Sequence, residues 1–514
     1  MNRKTLFVLA VLLFTHAINR VEAQRPKGNS VEGTVAEWHS NRPLAGVTVQ
    51  LTPKLQFEPY VVHSRNDGRF EFRNIPDGDY LLSAVHTGFL HSDYGKRHSS
   101  DPPLTLTVSS SKSISNLKLS MIPASAISGA VMDSRGEPVP AVLVRAQRMT
   151  YANGEPALQL IQTVATDDLG NYRLHSLQPG KYFVSAVLRA DPPVAPSYYP
   201  SASDTRFARV IEISAGTIAG GIHIAAQFEG GVTVQGKVGF TGSAASVQLV
   251  PRLPITPAPV GSSVPVDVNS GIFRIPNVFP GAYWMIAESE GQSVQTPLEI
   301  GSTPVPQIQL SIPRAIDFAA DISFDPVVAD PPGFLLQIRK QAPTTDHFLA
   351  GGLVTPLQLS PGDYQFLKGG GLPNMYIQSV KLGSIDILSD GLHVDSATGE
   401  TIKIVFGSRP GSLEGVVVDS GRQPESNIVV ALVPDTRNRK RIDRYKTVRT
   451  DAEGRFKLEN IPPGDYVAFS WEDVEPTAWM NDSFMKDYEM FGKPVHIEPD
   501  GHHTIQIEAI PEKN

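Results

Sequence analysis

Trp471, Trp479, Phe484, Tyr488 and Phe491 fall together in one Asp/Glu-rich segment of the chain. Flat rings beside carboxylates and amides are what sugar faces stack on, through the apolar C–H surface of the sugar ring. Tyr198 and Tyr199, followed by Pro200 in a proline-rich loop, offer the same combination on a smaller scale. The candidate ligand-binding residues are therefore Trp471, Trp479, Tyr488, Tyr198 and Tyr199, with Asp482 to Met490 as a short helix. The competing use for such rings is to fold over a sandwich and cover an open end of its core.

Other chemistry-bearing residues form no catalytic arrangement. The sequence holds no Gly-x-Ser-x-Gly elbow, no phosphate loop and no cysteine for a thiol nucleophile. Asp167-Asp168 and Asp451-x-Glu453 cluster acids in the manner of a calcium loop, but both lie at turn tips, where turn chemistry explains them. His502 and His503 are neighbours on a predicted last strand, so they face opposite sides and do not chelate one metal. The run Arg437-Asn438-Arg439-Lys440-Arg441 reads as a solvated hairpin loop. No catalytic residue, metal ligand or cofactor is expected.

The elements that position these residues come from a repeat. Its first copy is Asn66-Asp67-Gly68-Arg69-Phe70-Glu71-Phe72, closing in Ile75-Pro76-Asp77-Gly78-Asp79-Tyr80. The tip and closing glycines recur ten residues apart as Gly170 and Gly180, Gly271 and Gly281, and Gly454 and Gly464. Each closing glycine is followed two residues later by a tyrosine: Tyr80, Tyr182, Tyr283 and Tyr466. A partial copy survives at Gly362 and Tyr364. The tip glycine supplies the positive φ of a tight turn. Phe70-x-Phe72 alternates apolar and charged residues, as a strand with one buried face does. The tyrosine resembles a tyrosine corner, whose hydroxyl bonds back to the backbone and pins the crossover between sheets. Upstream of each full copy lies a second signature, Val31-Glu32-Gly33-Thr34-Val35 in the first and Leu413-Glu414-Gly415-Val416-Val417 in the last, which reads as an opening strand.

Successive closing glycines stand 102, 101, 81 and 102 residues apart, the size of a seven-strand sandwich. The expected organisation is a signal peptide over 1–23, then sandwiches over 24–122, 123–229, 230–312, 313–408 (divergent) and 409–514. Arg3, Lys4 and the apolar run Leu6 to Phe14 make the start of a secretory signal, with cleavage after Ala23. No later run is long enough to span a membrane as a helix. With no cysteine there is no disulfide framework, so each sandwich must hold itself together by burying apolar surface. With a net charge of −7, from 45 basic and 52 acidic residues, no nucleic-acid partner is expected.

The string Gly-x-Val, Gly-x-Pro-x-x-x-Val, Asp-x-x-Gly-x-Phe and Pro-Gly-x-Tyr resembles the carboxypeptidase regulatory-like domain. The resemblance is specific in the first, second and fifth repeats. It implies an Ig-like, transthyretin-like or starch-binding-like Greek-key β-sandwich, hence an all-β chain of about five sandwiches. In metallocarboxypeptidases this domain follows the catalytic domain and does no chemistry. The catalytic His-x-x-Glu motif is missing here: none of the thirteen histidines has Glu three residues on, and the nearest approach is His98-Ser99-Ser100-Asp101. A role as accessory to such an enzyme has no motif behind it. The expected function is an exported, periplasmic or extracellular, non-catalytic binding or scaffold protein. Its expected partner is a polysaccharide or a cell-envelope protein. The alternative is a purely structural or protein-interaction module.

Overall fold

The computed structural model describes residues 29–511, apart from 56–57, 97–101, 110–112, 189–194, 228–229, 257–262, 302, 304, 328–333, 342–343, 351–355, 372–373 and 397–398. The signal segment and the His98–Asp101 loop lie outside the described residues. The described chain is nearly all strand, gathered into ten sheets that pair as five sandwiches. The strands of these sandwiches run over 29–121, 125–225, 232–311, 316–407 and 411–508, and Ile255–Thr256 adds in parallel to the second.

Two compact units contain them. Of the described residues, the first comprises those within 29–85 and 105–120, and the second those within 86–104 and 121–511. In the first unit, a sheet of Arg69–Ile75, Asn29–Glu37 and Ile114–Met121 faces one that includes Tyr60–His63, Thr48–Pro53, Gly78–Val85 and Thr105–Val108. The fifth sandwich repeats this plan. Arg455–Ile461, Gly411–Val418 and His502–Glu508 face Lys446–Arg449, Val429–Pro434, Gly464–Trp471 and Lys493–Ile497.

The repeated residues act in the same way in each copy. The tip glycines Gly68, Gly170, Gly271 and Gly454 hold φ of +77°, +72°, +72° and +73°. That is left-handed backbone, which costs a side chain and suits glycine. At the tips the acids hold their own turn. Asp167 Oδ1 accepts from the amides of Leu169 and Asn171, and Asp451 Oδ1 from those of Glu453 and Arg455. The Asn171 amide, more than any other contact, holds the Asp167 carboxyl below the usual carboxylate range.

All five corner tyrosines donate to the carbonyl four residues earlier. Tyr80 bonds Pro76 at 2.9 Å, Tyr182 bonds Gln178 at 2.8 Å, Tyr283 bonds Phe279 at 3.0 Å, Tyr364 bonds Ser360 at 2.7 Å and Tyr466 bonds Pro462 at 2.8 Å. The ring fills the core while the hydroxyl satisfies the carbonyl of the crossing turn. Burial pushes the Tyr466 hydroxyl up to about 12, so it stays a donor at any physiological pH.

A further repeated device is a buried hydroxyl four residues before the tip glycine. Thr450 Oγ1 accepts from the Ile428 amide at 2.9 Å and donates to the Glu425 carbonyl at 2.7 Å. Thr166 does the same between Val142 and Val139, and Ser64 between Val47 and Leu44. The hydroxyl closes the bend between the first two strands, whose backbone groups have no ladder partner there. In the third sandwich Val266, five residues before Gly271, makes the equivalent backbone bond, to Ala245, and brings no hydroxyl. Thr450→Val keeps the shape but leaves a buried amide and a buried carbonyl unpaired. It is expected to lower the stability of the fifth sandwich by about 1–3 kcal/mol, measured by urea unfolding.

Candidate functional site

The fifth sandwich departs from the one-sided pattern in its second sheet. In the first sandwich, Thr48-Val49-Gln50-Leu51 alternates half-buried and buried residues. In the fifth, every residue of Val429–Pro434 is buried. Val430, Leu432, Tyr466 and Ala468 face the sandwich interior. Val429, Ala431, Val433, Phe469 and Trp471 face outward and need a second cover. The segment 472–491 supplies it with Val474, Ala478, Trp479 and Met485, and with the partly buried Phe484 and Tyr488.

The predicted ligand-binding rings are thereby placed. Trp471 is 1% exposed and stacks on Phe469 at 5.4 Å and on Trp479 at 6.3 Å. Trp479 is 7% exposed. Tyr488 is half-buried, 4.8 Å from the Phe484 ring and edge-on to Trp471 at 5.9 Å. Tyr198 is 6% exposed in a short strand, and burial pushes its hydroxyl up to about 12. Tyr199 is half-buried against the core of the second sandwich. The structure therefore brings Trp471, Trp479 and Tyr488 together, but as the cover of a sheet. This corrects the expected sugar platform: Trp471, Trp479 and Tyr198 have no open face on which a sugar could stack. The predicted helix is shorter than expected, one turn over Asp482–Met485 capped by Asn481, whose Oδ1 accepts from the Phe484 amide.

The cover carries a second load. The hairpin of Leu143–Ala152 and Glu155–Ala165 in the second sandwich reaches it with its tip. Asn153 and Gly154 both hold positive φ there, +51° and +83°, as a two-residue type I′ turn needs. Asn481 Nδ2 donates to the Gly154 carbonyl at 2.9 Å. Thr477 Oγ1 donates to the Tyr151 carbonyl at 3.3 Å. The Tyr151 ring meets Phe484 edge-on at 5.8 Å. Glu475 accepts from Arg148 at 3.3 Å and from the Thr150 hydroxyl at 3.2 Å. These contacts clasp the second sandwich to the fifth. Sequence reading missed Asn153, Gly154, Glu475, Thr477 and Asn481. Asn-Gly was a legible hairpin signal; its partner, some 327 residues away, was not.

Within the same unit, contacts also join consecutive sandwiches. Leu158 donates its amide to Pro254 at 2.8 Å, and Arg206 meets Glu299 at 2.8 Å. Lys340 Nζ donates to the Ser293 carbonyl at 3.1 Å, and Ser389 Oγ to Asn438 Oδ1 at 2.9 Å. With the clasp, the circuit from second to third to fourth to fifth sandwich returns to the second.

The basic run is also placed differently from expectation. Arg441 is 1% exposed and bound to Asp443, and Arg439 bridges to Asp482 and Glu489 of the cover. Only Thr436, Arg437 and Lys440 of that loop lie open to solvent. His502 is exposed, its Nδ1 2.7 Å from Ser412 Oγ, and shares with His503, Glu414, Lys457 and Glu459 an open polar cleft of about 570 Å³. Among the described residues no group of three His, Asp or Glu side chains assembles as a metal site, and no helix is long and apolar enough to cross a membrane.

Residues 30–120 match the family model of the carboxypeptidase regulatory-like domain. Every later sandwich carries the same corner tyrosine and all but the fourth the same tip glycine, so the chain is an all-β string of Greek-key sandwiches, the first of which matches that family. No curated protein matches the chain. Among solved structures it is similar to the minor pilin GBS52 of Streptococcus agalactiae, at 13% identity over 39% of this chain and 97% of that one, TM-score 0.23. It is also similar to a streptococcal ancillary pilin, at 11% identity over 55% and 98%, TM-score 0.22. A third is the Bacillus anthracis TIE protein, at 11% identity over 93% and 73%, TM-score 0.16. Overlaps this slight carry no weight for function.

Proposed function

We propose that this chain is an exported, non-catalytic scaffold of the cell envelope, periplasmic or extracellular, that works by holding a protein partner. The observation that carries this reading is the clasp. The aromatic residues best suited to ligand work are engaged in tying the second sandwich to the fifth, which makes the second unit a braced frame. A frame that positions surfaces is the property a scaffold needs.

Carbohydrate binding is the second reading, and one observation favours it: Phe491, 52% exposed, adjoins the half-buried Tyr488 beside Glu489. One experiment separates the two. The mature chain, from Gln24, is run through gels containing polysaccharides and, in parallel, cross-linked in intact envelopes. The scaffold reading expects no retardation and one saturable protein cross-link that survives added polysaccharide. Retardation by one polymer that Phe491→Ala abolishes, with no saturable cross-link, would replace it with the carbohydrate reading.

A further inference from the structure

Where the strand Gly362–Lys368 of the fourth sandwich packs on the turn Ile442–Arg444 of the fifth, the side chains are strongly basic. Arg441 and Arg444 are 1% and 7% exposed, and Gln365 is 3% exposed. Lys368 and Lys446 are half-buried at the rim. One carboxylate, Asp443, serves this group. It takes Arg441 Nη2 at 2.7 Å and Nε at 3.3 Å. Among the described residues Arg444 has only the neutral Pro463 carbonyl, at 3.4 Å from Nη1. Asp435 accepts from the Asn438 side-chain amide.

Buried donors are left over. Arg441 Nη1, Arg444 Nε and Gln365 Nε2 have no hydrogen-bond acceptor among the described residues, and the Gln365 Oε1 acceptor beside them is unpaired as well. Two buried guanidiniums and two ammoniums thus face one carboxylate. Burial lowers the affinity of Arg441, Lys368 and Lys446 for their protons. Lys446 lowers Lys368 further, while Asp443 opposes the shift in all three. Buried polar groups are nearly always paired, and buried charge in excess needs a counter-charge. The guanidinium fork matches the oxygens of phosphate and sulfate, and a lysine ammonium adds a mobile point charge.

We propose that the junction between the fourth and fifth sandwiches binds one small tetrahedral oxyanion. The Arg441 and Arg444 guanidiniums hold it, and it enters past Lys368 and Lys446. The Gln365 amide N–H group donates to the same ligand. The bound anion joins residues of both sandwiches and stabilises their contact.

The test is titration calorimetry of the full mature chain with inorganic phosphate, sodium chloride keeping the ionic strength constant, together with thermal melts. One saturable site is expected, with a melting midpoint that climbs with phosphate and with sulfate competing for the site. Lys368→Gln and Lys446→Gln stand at the rim, where the fold tolerates change, and each is expected to weaken binding about tenfold, the scale of a charge-assisted hydrogen bond. Arg444→Gln is expected to abolish it. A midpoint that responds to phosphate no more than to chloride would mean the junction holds water alone and would overturn the proposal. Unchanged phosphate affinity in the Lys368→Gln, Lys446→Gln double variant would put the anion elsewhere and overturn it equally.

Discussion

Trp471→Ala is expected to lower stability by about 3–5 kcal/mol, the range for truncating a large buried aromatic. The ring is the centre of the outward-facing cluster of the fifth sandwich. It stacks on Phe469 and Trp479 and meets Tyr488 edge-on at 5.9 Å. Aromatic contacts of this kind add about 0.5–1.5 kcal/mol beyond area burial. The loss also reaches the second sandwich, because Phe484 lies 6.5 Å from Trp471 on one side and 5.8 Å from Tyr151 on the other. Urea unfolding reads the stability, and limited proteolysis of 472–491 reads the loosened cover. A variant with wild-type stability and a protease-resistant cover would show that the ring does not hold the sheet, and would revive its use as a ligand platform.

Gly415→Ala should also be strongly damaging, although it adds a single methyl group. Gly415 lies on the opening strand Gly411–Val418, between the parallel strand His502–Glu508 and the antiparallel strand Arg455–Ile461. A β-carbon there would overlap the Ile505 carbonyl oxygen and sit 2.9 Å from the Phe456 ring. Neither neighbour is a flexible chain end, so the strands must part. Overpacking of this kind costs about 1–3 kcal/mol and sometimes more, and the backbone overlap places this case at the upper end. Gly33, Gly129 and Gly236 hold the same place in other sandwiches, each against the backbone of its neighbouring segment. Gly421→Ala, in an open loop where the nearest atom is an Asp419 carboxylate oxygen at 3.2 Å, is the matched control. Equal melting midpoints for the two variants would contradict the close-approach account.

The all-β repeat architecture was legible because its devices are local. A tip glycine, an alternating strand and a corner tyrosine lie within some fifteen residues of one another, and each has its own steric or hydrogen-bonding reason. The divergent fourth repeat could be recognised from Pro361-Gly362-Asp363-Tyr364 for the same reason, and its Tyr364 makes the same bond as the others. The candidate site was not legible in this way. Exposed aromatic residues and covering ones look alike in sequence. The clue that separates them is the unbroken apolar run Val429-Val430-Ala431-Leu432-Val433, which declares a sheet buried on both faces. Arg441 was misread because charge ordinarily implies solvent; here the guanidinium is buried and paired with Asp443, two residues on. The hydroxyls of Ser64, Thr166 and Thr450 were missed because serine and threonine beside a turn are too common to stand out.

The clasp between the Asn153-Gly154 tip and Asn481 alters how this part of the chain responds to denaturation. Tandem repeats that touch only their sequence neighbours can fray from either end, because each terminal member has one interface to lose. Here the second and fifth sandwiches are both interior members, since each has a partner on either side. Opening any one contact leaves the others to hold the parts near one another, so reclosure is intramolecular and fast compared with diffusion of free domains. Melting of the unit is therefore collective, and the four sandwiches share their stability instead of each failing at its own.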